Sequence, residues 1–200
     1  MLRDTLLQVA QDFPLETQKP MKENPFQHFV SVEIPKVFSV IFSDDIYVHW
    51  KASAGKGKWS EIPWIAALDE RVTETTQEGF YIVLLYSADC EEVYLGMQLG
   101  TESIRNEYGV QQSRLIMADK NAQIISFVDS AFPKHNFQIG RPNLRGKTLR
   151  TISYEDAFSI GTYYHFKNFP EETVLREDIS SLLEIYQALV TAYLNGDILQ

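Results

Sequence analysis

Two runs dense in β-branched and aromatic residues, 80–87 and 92–98, are separated only by Ala88, Asp89, Cys90 and Glu91. Strand-forming runs with so short and polar a joint predict an antiparallel hairpin. A second constraint comes from residues 170–196. Pro170, Glu171 and Glu172 suit a first helical turn, and Val174, Leu175, Ile179, Leu182, Leu183, Tyr186, Leu189, Val190 and Tyr193 recur at helical spacing until Gly196. That stripe predicts a long helix packed on the sheet. Leu2, Leu6, Val9, Ala10 and Phe13 repeat at intervals of three and four, predicting a helix over 1–13.

The remaining chain reads less regularly. Residues 14–28, with Pro14, Pro20 and Pro25, read as a loop. The β-branched and aromatic runs 29–34, 37–42 and 46–52 read as successive strands of a meander, followed by a turn at Gly55-Lys56-Gly57. Residues 105–129 predict a helix with loosely defined ends, followed within it by the β-favouring run 124–128. The fold class expected is α+β: a largely antiparallel sheet core flanked by N-terminal and long C-terminal helices. With 200 residues, 44% of them hydrophobic, one domain over 1–200 is expected.

Several functions are excluded or disfavoured. No apolar run approaches the roughly 18–20 residues of a membrane span, and Arg3, Asp4, Gln8, Gln11 and Asp12 interrupt the first segment. No membrane partner and no secretion signal are expected. A single cysteine, Cys90, forms no internal disulfide, and the four histidines are dispersed, so a reducing cytoplasm is expected, with neither metal nor cofactor. The stretch ending Arg145-Gly146-Lys147-Thr148 imitates a phosphate-binding loop, yet five residues rather than four separate Gly140 from Gly146, and 149–153 does not read as a helix start. No Gly-x-Ser-x-Gly occurs, and the neighbours of Cys90 are acidic rather than basic. No catalysis by this chain is expected.

A formal net charge of −9, from 18 Lys and Arg against 27 Asp and Glu, argues against a nucleic-acid partner, but the distribution argues for one. Lys134, Arg141, Arg145, Lys147 and Arg150 fall in a segment without acids, and Lys51, Lys56 and Lys58 in another. Such segregation allows a basic face on an acidic protein. Lys56, Lys58, Lys134, Arg141, Arg145 and Lys147 are therefore the candidates for contacts with DNA, with Arg141 or Arg145 suited to a guanine edge. The basic glycine loop at 55–58 leads directly to Trp59 and Trp64. Composition alone leaves these tryptophans divided between base stacking and core packing.

The block from Gly55 to Trp64 reads Gly-x-Gly-x-aromatic-x-x-Ile-Pro-Trp; a Gly-aromatic-Tyr strand follows at 79–86, then Val93-Tyr94-Leu95-Gly96-Met97-Gln98-Leu99-Gly100. With a weaker continuation at Thr162-Tyr163-Tyr164 and the acidic helix after Pro170, the chain resembles the N-terminal recognition domain of McrB-type subunits of modification-dependent restriction systems. The resemblance implies a double-stranded DNA-binding specificity domain of an anti-phage restriction system. In methylcytosine-reading members the modified base is flipped into an aromatic pocket, and a GTP-hydrolysing motor domain and a nuclease subunit complete the system. It further implies that Trp64, Tyr81 and Leu85 line the base pocket. Tyr81 and Leu85 share one face of a strand, in agreement with a common cavity. Lys56 stands where methylcytosine readers can carry an aromatic wedge. Two alternatives therefore stand beside base flipping: site-specific reading of unmodified DNA in the groove, and docking of a partner restriction subunit.

Overall fold

A computed structural model describes residues 1–199; Gln200, the last residue of the expected 1–200 domain, lies outside the described residues. At its centre is a five-stranded antiparallel meander in the order β1-β2-β3-β4-β5: Val48–Gly55, Trp59–Asp69, Phe80–Tyr86, Glu92–Leu99 and Phe158–His165. The expected hairpin is β3–β4. All residues of both strands are buried, so the sheet must be covered on both faces.

The first face carries the larger core. Trp50, Ile65, Ile82, Leu84, Val93, Leu95 and Met97 pack there in one cluster with the buried residues of helices α1 (Leu2–Glu16), α3 (Ile34–Ile41), α4 (Thr101–Ala131) and α6 (Glu172–Leu194). The long C-terminal helix and the N-terminal helix are thus where their apolar stripes require them. Tyr186 of α6 ties its helix to the sheet: its hydroxyl accepts from Asp69 N at 3.0 Å and donates to the Phe80 carbonyl at 3.1 Å. The α+β class holds.

Three local expectations are overturned. Residues 29–34 and 37–42 are helical, not strands: α2 (Pro25–His28) runs through a π-helical turn, Phe29–Glu33, into α3. Phe26, Val30, Ile34 and Phe38 are buried at a spacing of four, so tertiary burial of one helical stripe overrides the β-propensity of the individual residues. Pro35 follows the π-helical turn inside this continuous helical run, so it costs the helix one backbone donor there and does not break a strand. The supposed loop at 14–28 contains the last turn of α1 and the Asn24 cap of α2, whose side chain accepts from Phe26 N at 2.8 Å. The run 124–128 continues α4, burying Ile124 and Val128; only Gly109, with φ 73°, interrupts that helix.

The second face is covered differently. Ile62, Ala66, Leu68, Tyr81, Val83, Leu85 and Tyr94 form a smaller cluster with Phe158 at the start of β5 and with Leu144 from the segment between α4 and β5. That segment ends in α5 (Leu149–Ala157), a helix where none was expected; Thr148 caps it, its side chain accepting from Thr151 N. Gly96 and Gly161 face each other across β4 and β5 and make room for the Phe158 ring; a Cβ on Gly96 would lie 2.2 Å from it.

The helical assignment of residues 34–41 makes a clear prediction. In a strand Phe38 and Val40 would share a face; in α3 Phe38 is buried against Trp50, ring centroids 4.6 Å apart, and Val40 is 73% exposed. Phe38→Ala is expected to lower stability by about 3–5 kcal/mol and Val40→Ala by less than about 0.5 kcal/mol in urea denaturation.

Candidate nucleic-acid interface

Alternation along the strands sorts the aromatic residues. Trp59 and Trp64 are five residues apart and go to opposite sides. Trp59 joins the helical side: its ring meets Phe13 and Phe26 at 6.2 and 6.3 Å, and its Nε1 donates to the Lys19 carbonyl at 2.7 Å. It is a packing residue. Trp64 is half-buried on the second face, beside Leu85 in the β2–β3 register. Tyr81 and Leu85 follow on β3, so the three residues expected to form a pocket lie around one cleft, joined by Thr76, Val83, Gln98 and Tyr154. The cleft holds about 10 Å³, the lower limit of what one water needs. A base therefore enters only if a wall moves, and the half-buried walls are Trp64, Thr76 and Tyr154.

Polar order in the cleft comes from β3 and β4. Tyr81, opposite Gln98 in the register, donates its hydroxyl proton to the Thr76 carbonyl at 2.9 Å and accepts from Gln98 Nε2 at 3.4 Å. Burial raises the Tyr81 phenol far above its ordinary range, so it stays a neutral O–H. Gln98 was not among the residues singled out from sequence. Its signal was a lone amide in an otherwise apolar part of a strand, on the Tyr94 face.

The basic candidates divide. Lys56 and Lys58 are exposed at the β1–β2 tip, where Gly55 and Gly57 take φ of 128° and 73°. Lys147 comes to the same end of the sheet because Glu61, three residues after Lys58, accepts from Lys147 N at 2.7 Å and from Thr148 N at 3.0 Å. Arg141 is paired with Glu155 at 2.7 Å and Asp156 at 3.0 Å. Arg145 is paired with Asp89 at 2.5 Å, Glu91 at 3.3 Å and Glu92 at 2.6 Å. Arg145 ties the cover to the β3–β4 hairpin, whereas Arg141 binds α5 within the cover, and a contact with DNA requires both to exchange these carboxylates. Lys134 is not brought to this end; it borders a hollow of about 340 Å³ beside Asp178 and Glu184 of α6.

The imitation of a phosphate-binding loop acquires a physical explanation. Gly146-Lys147-Thr148 does lead into a helix, but the donors at that helix start are occupied by Glu61. Besides the two backbone N–H groups, Thr148 Oγ1 and Thr151 Oγ1 donate to it at 2.7 and 2.6 Å. Gly146 lies so close that a Cβ there would stand 2.7 Å from Glu61 Oε2. A protein carboxylate fills the place a phosphate would take. Cys90 is buried, and burial together with Asp89 pushes its thiol up to about 12, away from nucleophilic chemistry. Among the described residues no three His, Cys, Asp or Glu side chains gather as metal ligands, and no helix is long and apolar enough to cross a membrane.

Partial burial opposes the charge on Glu61, but the Thr151, Lys147 and Thr148 donors outweigh it and hold the carboxyl at about 2 instead of its ordinary 4.5. A depressed carboxyl pKa stabilises the fold above the unfolded value, and that contribution disappears as pH falls from 4.5 towards 2. Glu61→Gln should therefore be less stable than the unaltered protein at pH 7. The difference should shrink across that acid window in urea titrations at successive pH values.

A comparison with curated proteins returns no match. A family model described as the MrcB-like N-terminal domain matches residues 8–191, from within α1 to within α6. The match takes in the whole sheet, its cover and the cleft, and with nearly the full length aligned this chain belongs to the MrcB-like N-terminal domain family.

Proposed function

We propose that this chain is the DNA-recognition domain of a McrB-type restriction subunit, and that it reads a modified cytosine by flipping the base into the cleft of Trp64, Tyr81 and Leu85. The observation that carries the reading is the convergence of those three side chains, from two strands, on one face of the sheet. An aromatic wall suits stacking and Leu85 suits contact with a 5-methyl group. The tip lysines Lys56 and Lys58, with Lys147, would hold phosphates at the end of the sheet towards which the cleft's Leu85 lies. Lys134, Arg141 and Arg145 remain secondary candidates, the arginines after exchange of carboxylate partners. The domain acts in the cytoplasm, over 1–200, without catalysis of its own. A GTP-hydrolysing motor domain and a nuclease subunit are its proposed partners in anti-phage defence.

Two observations favour a second reading, recognition of an unmodified sequence in the groove. The cleft is closed, with about 10 Å³ of space, and the β1–β2 tip offers Lys56 instead of an aromatic wedge. Extrusion of a base costs a few kcal/mol in lost stacking and pairing, and a lysine fills the vacated space poorly.

Binding to duplexes that differ only in cytosine methylation tests the first reading. Trp64→Ala should remove about 1–3 kcal/mol of the preference for the methylated duplex while leaving weak nonspecific binding, with circular dichroism confirming the fold. Neutralising Lys56, Lys58 and Lys147 together should reduce the slope of log affinity against log salt by roughly 0.9 for each phosphate that no longer meets a cation. A fluorescent base analogue at the target should brighten modestly with the unaltered protein and more with Lys56→Tyr. Protection of one unmodified sequence without any brightening would decide for groove reading.

A further inference from the structure

The cleft contains a buried hydrogen-bond acceptor without a protein partner. Gln98 is 1% exposed, and its Oε1 is one of two buried side-chain polar atoms among the described residues that bond to nothing. The other, Trp50 Nε1, lies on the opposite face of the sheet beside Phe38 and Phe42. Unsatisfied buried polar groups are rare because leaving one unpaired is unfavourable, so each one points to strain or to a missing partner.

The orientation of the amide follows from its neighbours. Tyr81 has one hydroxyl proton and gives it to the Thr76 carbonyl at 2.9 Å. Towards Gln98 the phenol therefore presents a lone pair, which only the amide N–H₂ satisfies, and the two are 3.4 Å apart. The carbonyl end is left for the cleft, whose other walls include the apolar Val83 and Leu85. A group entering there must bring an N–H, because a carbonyl would set acceptor against acceptor in a dry site.

We propose that the Gln98 carboxamide is a specificity-determining contact of this cleft, selecting an inserted base that presents an exocyclic amino group over one that presents a keto oxygen. The inference rests on the base-pocket reading above and adds the chemical class that the pocket accepts. Exocyclic amino groups are found on cytosine at N4, on adenine at N6 and on guanine at N2; on cytosine and adenine the amino group stands where thymine and hypoxanthine carry a keto oxygen. Tyr81 acts through Gln98 as a positioning residue, since its lone pair keeps the amide from turning its nitrogen into the cleft.

The test uses four duplexes identical except at the target, which stands opposite an abasic site so that unpairing contributes equally. One pair compares 5-methylcytosine with thymine, which carries the same methyl group but a 4-keto oxygen. The other compares adenine with hypoxanthine, which replaces the 6-amino group by a keto oxygen. The unaltered protein should prefer the amino member of at least one pair by about tenfold or more, and the responding pair identifies a pyrimidine or a purine pocket. Gln98→Met should bring that ratio within about twofold of unity, and so should Tyr81→Phe, which keeps the ring but releases the amide to rotate; thermal melting checks that both remain folded. Equal binding of amino and keto members in both pairs would overturn the proposal, as would a ratio undiminished in Gln98→Met. If Trp64→Ala leaves the affinity for all four duplexes unchanged, no base enters the cleft and the pocket reading itself fails. If Trp64→Ala weakens binding but amino and keto bases bind alike, only the role of Gln98 fails.

Discussion

The cover over the second face of the sheet depends on one carboxylate. Glu61 leaves the start of β2 and receives four hydrogen bonds from Lys147, Thr148 and Thr151, joining the sheet to the first turn of α5. Without that attachment the segment between α4 and β5 would have few regular backbone bonds to hold it, since it contributes only the isolated bridge Ile139 to Gly161 and the single short helix. Arg145 adds a second attachment, reaching Asp89 and Glu92 at the β3–β4 hairpin, while Glu155, which accepts from Leu144 N at 2.8 Å and pairs with Arg141, braces the cover internally. An irregular segment is held in place by directed polar contacts because it has too little apolar stripe to be held by burial alone.

That construction accounts for the character of the cleft. Its floor is the central sheet, rigid because β3 is paired on both sides, and its outer wall includes Tyr154 on the polar-anchored cover. The cleft thus combines a fixed sheet floor with a wall on a segment that side-chain contacts tie to the sheet. It also accounts for an acidic protein with basic segments. Several acids near the cover neutralise Arg141 and Arg145, while Lys56 and Lys58 of the β1–β2 tip and Lys147 stay exposed at that end.

That Trp64, Tyr81 and Leu85 lie around one cleft was legible because strand alternation is a strict rule. Tyr81 and Leu85 had to share a face, and the family block put Trp64 opposite them. Gln98 escaped notice because a single amide among apolar residues has no motif; only its pairing with Tyr81 and the absence of a partner for its carbonyl make it informative. Arg141 and Arg145 looked available for DNA because their acids, Asp89, Glu91 and Glu92 among them, are distant in sequence or belong to another element. Ion pairing across the fold is invisible to a count of local charge.

The sequence by itself determined the antiparallel hairpin, the two terminal helices and the α+β class, since long runs with a clear period leave one way to bury their apolar side. It also determined, through a block of residues in order, the family to which the chain belongs. Only the tertiary structure decided that 29–42 is helical, that Trp59 packs with Phe13 and Phe26 while Trp64 lines the cleft, and that Glu61 occupies the start of α5. The physical reason is range: periodicity is a property of neighbouring residues, whereas the choice between competing periods, and the pairing of each charge, is made by whatever distant surface remains to be covered.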